Sequence, residues 1–270
     1  MNLYYGRPEH SDYRTVIDQY SDSELQNLTS STIPLLSYWK KCDTAVSQLL
    51  QQMNIVSAEN AKICFEYPVS VTGIRYTKAS FSDVMYISNS AAIAIEAKRN
   101  EGEYDTVRKW LSMGEDVKHR KDVLNYWLRQ VEKVCDKRLS VNNVSDITYQ
   151  LIHRTASVCS LMDDNRSLNV LYQIFLSRNK KSTDKNKKRV DYESKMREMV
   201  RIIGSQGRVK FWIHEVVIGE TKFYHDSTDE LKRISWKNAK SEKAQFVRKC
   251  LLAENELFEF IREAPRRIEI

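Results

Sequence analysis

Proline and glycine are scarce in this chain, four and seven among 270 residues, which excludes collagen-like and linker-like classes. Cysteine is too sparse and too scattered for a disulfide framework or a zinc ribbon. Cys42, Cys64, Cys135, Cys159 and Cys250 are odd in number, widely spaced and set mostly among apolar residues, so a reduced compartment is expected. There is no Gly-rich phosphate cradle and no His-Cys cluster, which argues against a P-loop enzyme and against zinc. No uncharged apolar run comes near the roughly 18 residues a membrane span needs, and Met1-Asn2-Leu3-Tyr4 opens no signal peptide. The expectation is a soluble protein of the cytoplasm with no membrane partner. What the chain does have is core material: 14 Tyr, 8 Phe and 5 Trp, with 41% hydrophobic residues overall. That is enough for one large domain or two small ones.

Forty-three basic residues stand against 36 acidic ones, a net charge of +7 that is unevenly placed. Arg178 to Arg189 holds seven bases and the single acid Asp184. Such a block suits a nucleic acid or another anionic surface, and equally a solvated loop. Along the chain, Thr32 and Pro34 open a predicted helix whose apolar stripe continues through Trp39, Cys42, Val46 and Leu49 to Met53. Short strands are predicted at 63–71, bending near Pro68 or lying near a sheet edge, then at 74–77, 82–87 and 92–97, the last apolar enough to be central. A helix follows from about Lys121, and a second is capped by Ser145 or Asp146. Then come a buried strand over 170–176, a helix over 192–203, a strand over 209–218 with one wet face, and a helix over 242–261. Helices flanking a small mixed sheet predict an α/β domain, with α+β as the variant. The expected division is an N-terminal helical region over 1–58, a core over 59–177, and a basic loop with a C-terminal α/β extension over 178–270. That extension either forms a second lobe or completes the core.

The informative residues lie on the predicted strands. Twelve residues separate Asp83 from Glu96-Ala97-Lys98. Side chains alternate along a strand, so Glu96 and Lys98 face the same way. If 82–87 and 92–98 form an antiparallel hairpin turning near Asn89, Asp83 comes opposite Glu96 or Lys98. Two carboxylates and an ammonium at the end of an apolar sheet are costly without partners, and a metal ion explains them economically. Asp83 and Glu96 offer hard oxygen ligands for Mg²⁺, with Mn²⁺ as a substitute, and leave room for a phosphate oxygen and a water. Lys98 then orients the attacking water and stabilises a pentacovalent phosphorus by its charge. Glu66, on the preceding strand, is the candidate third acid.

Ser82-Asp83 followed by Glu96-Ala97-Lys98 resembles the signature of the PD-(D/E)XK nucleases, the restriction-endonuclease-like superfamily. The resemblance covers about residues 60–176 and departs at Ser82, where the motif has proline. It implies a four-stranded mixed sheet flanked by helices, and metal-dependent cleavage of DNA, less often RNA. It also implies that Asp83 and Glu96 are the metal-binding acids, Lys98 the catalytic lysine, and Glu66 the extra upstream acid. The expected function is a Mg²⁺-dependent DNA endonuclease, in restriction or phage defence, with a homodimer if cleavage is symmetric. A structure-specific repair nuclease and a non-cutting DNA-binding or scaffolding protein are the alternatives. A solvated ion-pair network at a hairpin end is the bland reading of the same charges.

Further nucleic-acid contacts are expected from the bases Lys180, Lys181, Lys187, Lys188, Arg189 and Lys210, which supply salt-dependent affinity. Trp212 is expected beside Lys210 on the exposed side of its strand. Gln150 and Arg154, four apart, share a helix face that can hold a phosphate near the metal. His153 reads as a satisfied structural histidine.

Overall fold

The computed structural model describes residues 1–269 except 57–59, 76, 100, 101, 103, 114–115, 179–181, 205–207 and 235–238, with backbone alone for 182–191, 239 and 262. In chain order the strands are β1 (Asn2–Tyr5), β2 (Glu9–His10), β3 (Lys62–Val69), β4 (Ser80–Ile87), β5 (Ala91–Lys98), β6 (Ser167–Ser177), β7 (Val209–Glu220), β8 (Phe258–Arg262) and β9 (Arg266–Ile268). The helices are α1 (Tyr13–Ile17), α2 (Thr32–Trp39), α3 (Cys42–Gln52), α4 (Val107–Ser112), α5 (Val117–Glu132), α6 (Val141–Val144), α7 (Tyr149–Cys159), α8 (Ser182–Ile203), α9 (Lys222–Arg233) and α10 (Ala239–Leu252).

Among the described residues all nine strands join one mixed sheet in the order β2-β1-β3-β4-β5-β6-β7-β8, with β9 also on β7. Strands β3, β4 and β5 form an antiparallel meander, while β6 and β7 run parallel to β5. The parallel step from β5 to β6 needs a crossover, which α4 to α7 supply. Two cores result, one on each face. Helices α1, α2, α3, α9 and α10 cover the face of Phe65, Val84, Ile93 and Ile95. Helices α4 to α8 cover the face of Cys64, Met85, Ala94 and Val170. The architecture is a three-layer α/β/α arrangement.

Several expectations change. The predicted helix from Thr32 is two helices broken at Lys40-Lys41, where the apolar stripe is interrupted and the Lys40 ammonium donates to the Ala253 carbonyl at 2.5 Å. Among the described residues no strand forms over 74–77, and the β3–β4 connection is irregular from Ser70 to Ala79. The long C-terminal helix ends at Leu252, and β8 begins at Phe258, because Phe258 and Phe260 pair with β7 rather than extend the helix. The basic segment is helical, not a loop, from Ser182 on, and runs into the helix predicted over 192–203. Strand β7 has no wet face: it lies between β6 and β8–β9 and between both helical layers. Trp212 is therefore buried, its indole N–H donating to Asn169 Oδ1 at 3.0 Å, and Lys210 is half-buried. Strands β1, β2 and β9 and helix α9 were not expected.

Candidate active site

The hairpin register decides which charged groups meet. Val84 pairs with Ile95, so the next residues outward, Asp83 and Glu96, stand opposite each other. On the other side of β4, Phe65 pairs with Val84 and Tyr67 with Ser82, which sets Glu66 opposite Asp83. Glu66, Asp83 and Glu96 thus form one row across three adjacent strands, and Tyr172 of β6 continues it beside Glu96. Asp83 Oδ2 accepts the backbone N–H of Ala97 at 2.7 Å, replacing a ladder bond where the β4–β5 pairing ends.

Glu66 has a left-handed backbone, φ 47°. For a residue with a side chain this is uncommon and costs about 1–3 kcal/mol. It also reverses the strand's facing. Phe65 packs into one core and Tyr67 into the opposite one from the face alternation assigns it, the core that holds Cys64. The predicted bend in this strand is therefore at Glu66, two residues before Pro68.

Glu96 is 2% exposed, Lys98 2% and Arg154 4%, so this is not a solvated ion-pair network. The Lys98 ammonium donates to Glu96 Oε1 at 2.8 Å, and Gln150 Nε2 to the same oxygen at 2.5 Å. The Arg154 guanidinium donates from Nε to Glu96 Oε2. Gln150 and Arg154 come from successive turns of α7, as their spacing implies. Their face is turned to the sheet, however, rather than to solvent. Nearly all of α7 is buried, and the charge on Glu96 draws these two polar side chains inward. The Lys98 ammonium also sits 4.2 Å from the Tyr104 ring centroid, under a ring that is itself well exposed.

The electrostatics divide the row. Burial raises the Glu96 pKa, but Arg154 and Lys98 outweigh it and hold the group below its ordinary value. Burial, then the charge of Glu96, pushes Asp83 up to about 7. Burial, then Asp83, pushes Glu66 up to about 9. The cations serve Glu96 and leave the other two acids repelling one another. For an acid whose pKa is raised on folding, the native state holds more protons, so stability falls as pH rises from the unfolded value through the folded one. In metal-free protein, Asp83→Asn should therefore stabilise the fold at pH 8 by about 1–2 kcal/mol after allowing for partial exposure, seen as a higher melting temperature. The amide keeps an acceptor for Ala97, and the gain should vanish near pH 4. Melting in EDTA across that range checks it; an equal gain at both ends would contradict the raised pKa.

Fit to a divalent cation follows from these donors. The Glu66 carboxyl takes no hydrogen bond or ion pair among the described residues, and Asp83 uses one oxygen only. The buried hydroxyls of Tyr20, in the field of Glu66 and Asp83, and of Tyr172, beside Glu96, have no hydrogen-bond partner among the described residues. Hard oxygens with surplus negative charge suit Mg²⁺. Both oxygens of Glu96, by contrast, are engaged by Lys98, Gln150 and Arg154, and among the described residues no three His, Cys, Asp or Glu side chains already converge as a metal site. The donors fit, with Glu96 held in a cation-paired state.

The remaining expected contacts lie apart. Lys180 and Lys181 fall outside the described residues, and of the Lys187, Lys188 and Arg189 side chains only the backbone in α8 is described. Lys210 lies on β7, two strands from Glu96. Two neighbours of the site carried no sequence signal. Ser80 meets His153 Nδ1 at 2.7 Å and Arg154 Nη1 at 3.2 Å, and Tyr104 covers Lys98. Arg99 is buried under the sheet end, donating to the Leu28 carbonyl and to Glu220, which gives it a structural role. Among the described residues no helix is long and apolar enough to cross a membrane.

No curated protein and no solved structure matches the chain. Residues 11–230 match a family described as a domain of unknown function, DUF6946, a stretch that contains Glu66, Asp83, Glu96, Lys98, Gln150 and Arg154. The chain belongs to the DUF6946 family, and the carboxylate row lies inside the domain that defines it.

Proposed function

We propose that the chain is a metal-dependent nuclease that hydrolyses DNA phosphodiester bonds at the row of Glu66, Asp83 and Glu96. The observation that carries this reading is the row itself: three acids aligned on neighbouring strands, with Lys98 on the strand and face of Glu96. Strands β3 to β6, a mixed four-stranded unit between helical layers, fit the core implied by the resemblance to PD-(D/E)XK nucleases. Asp83, Glu66 and Glu96 would hold Mg²⁺, and Mn²⁺ would serve in its place. A bound ion supplies Lewis acidity to the phosphate and lowers the pKa of a water. The protein's own part is positional. Lys98 presents a fixed positive charge where charge builds on phosphorus, at no reorganisation cost, because Glu96 and Tyr104 hold its ammonium. Arg154 and Gln150 fix the rotamer of Glu96 from a rigid helix.

Supercoiled plasmid incubated with Mg²⁺ should be nicked or linearised, and EDTA should leave it intact. The second reading, a DNA-binding protein that does not cut, is favoured by one observation, the engagement of both Glu96 oxygens by protein donors. Failure to cut plasmid, single-stranded DNA or RNA with either Mg²⁺ or Mn²⁺, while DNA is still bound, would establish that reading instead.

A further inference from the structure

Against the helical side of the site lies a cleft of about 490 Å³, within the ~300–1,000 Å³ usual for small-molecule sites. Gln150 and Arg154 belong to both: they line the cleft and bond Glu96. One wall is a parallel aromatic stack, Trp110 on Tyr149, with centroids 3.8 Å apart and planes 7° apart. The stack is fixed from two sides. Trp127 donates its indole N–H to the Tyr149 hydroxyl at 3.1 Å, and the Arg120 guanidinium lies 5.0 Å from the Trp110 ring centroid while donating to the Trp110 carbonyl. Two more rings that line the cleft, Phe81 and Tyr104, are 46% and 48% exposed. Large apolar rings left open at a concave site mark a surface that binds something flat.

The cleft also has an oriented polar group. Arg154 has only protons to give, so His153 Nδ1, 3.1 Å from its Nη1, is an acceptor. The imidazole proton is then on Nε2, which has no partner among the described residues, on a ring that lines the cleft. Exposed aromatic faces with one fixed N–H donor suit a heteroaromatic ring bearing an acceptor on its edge.

We propose that this cleft seats one unpaired base of a DNA strand whose neighbouring phosphodiester lies at the carboxylate row. Resting on the nuclease reading, this makes the substrate single-stranded or locally unpaired DNA rather than continuous duplex. A base inside a duplex hides its faces in the stack, and bringing one out has a cost that an unpaired strand does not incur. Stacking on protein rings tolerates any sequence, since every base has a π-face.

The test is binding in EDTA, where cleavage does not interfere. Fluorescein-labelled oligodeoxythymidylate should bind at least about tenfold tighter than a blunt duplex of equal length, and should quench the tryptophan emission of Trp110 and Trp127. Phe81→Ala and Tyr104→Ala should each weaken single-strand binding about tenfold and leave duplex binding unchanged. Both rings are exposed, so these variants should keep the wild-type melting temperature. Equal affinity for single strand and duplex, or single-strand binding untouched by both variants, overturns the proposal. The two readings fail separately. Metal-dependent cleavage without single-strand preference would remove the cleft assignment and keep the nuclease. Ring-dependent single-strand binding without cleavage of any DNA would remove the nuclease and keep the cleft.

Discussion

Lys98→Ala should lower the rate of metal-dependent DNA cleavage at least about a hundred- to a thousandfold, the range for removing one preorganised group that stabilises transition-state charge. The ammonium is buried, 2.8 Å from Glu96 Oε1 and 4.2 Å from the Tyr104 ring centroid, so its position is set before any phosphate arrives. The substitution removes one of three donors to Glu96 and leaves Arg154 and Gln150 in place. Folding should therefore survive, and the effect should fall on the chemical step rather than on DNA affinity. Single-turnover cleavage beside an anisotropy measurement separates the two. Cleavage that persists in Lys98→Ala at near the wild-type rate would mean that the site lies elsewhere.

The second large effect is on stability. Arg154→Ala should destabilise the protein by about 3–5 kcal/mol, because it strips a buried carboxylate of its main counter-ion. For a chain of this size that is on the order of a 10 °C fall in melting temperature. Arg154 is 4% exposed and Glu96 2%, so solvent cannot take over the lost role. The sign with pH distinguishes this from lost packing. Glu96 titrates below its ordinary value in the native state, so its contribution is present above the unfolded pKa and is lost as pH falls through the folded one. Without Arg154 that carboxyl gains stability by protonation. The gap between Arg154→Ala and wild type should therefore narrow as pH falls from 7 toward 4. Adding Glu96→Gln should recover much of the loss at pH 7, by removing the charge that needs a partner. If the double variant is as unstable as Arg154→Ala at every pH, the guanidinium is held for its packing.

Both effects concern residues that could be named from the chain alone, for a physical reason. Short strands alternate their side chains strictly, so Glu96 and Lys98 had to share a face, and an antiparallel hairpin with a short turn leaves little choice of register. The chain alone left Asp83 opposite Glu96 or Lys98, and the pairing of Val84 with Ile95 selects Glu96. Spacing alone likewise put Gln150 and Arg154 on one side of a helix.

What that side faces was decided only by tertiary structure. Periodicity tells which residues share a face but not the charge of what the face meets, and here an internal carboxylate makes the polar face of α7 an inward one. The same limit explains β7, whose alternating texture reads as half-exposed until strands from the far C-terminus and two helical layers close over it. The left-handed backbone at Glu66 had no sequence mark, since glycine and asparagine are the usual carriers of that conformation. The aromatic cleft was equally hidden, because its rings come from the start of β4, from the loop after β5, and from α4, α5 and α7. Local pattern determined the sheet's acids and the lysine beside them. Long-range packing alone determined their partners, their protonation and the cleft at their side, because each depends on contacts between segments distant in the chain.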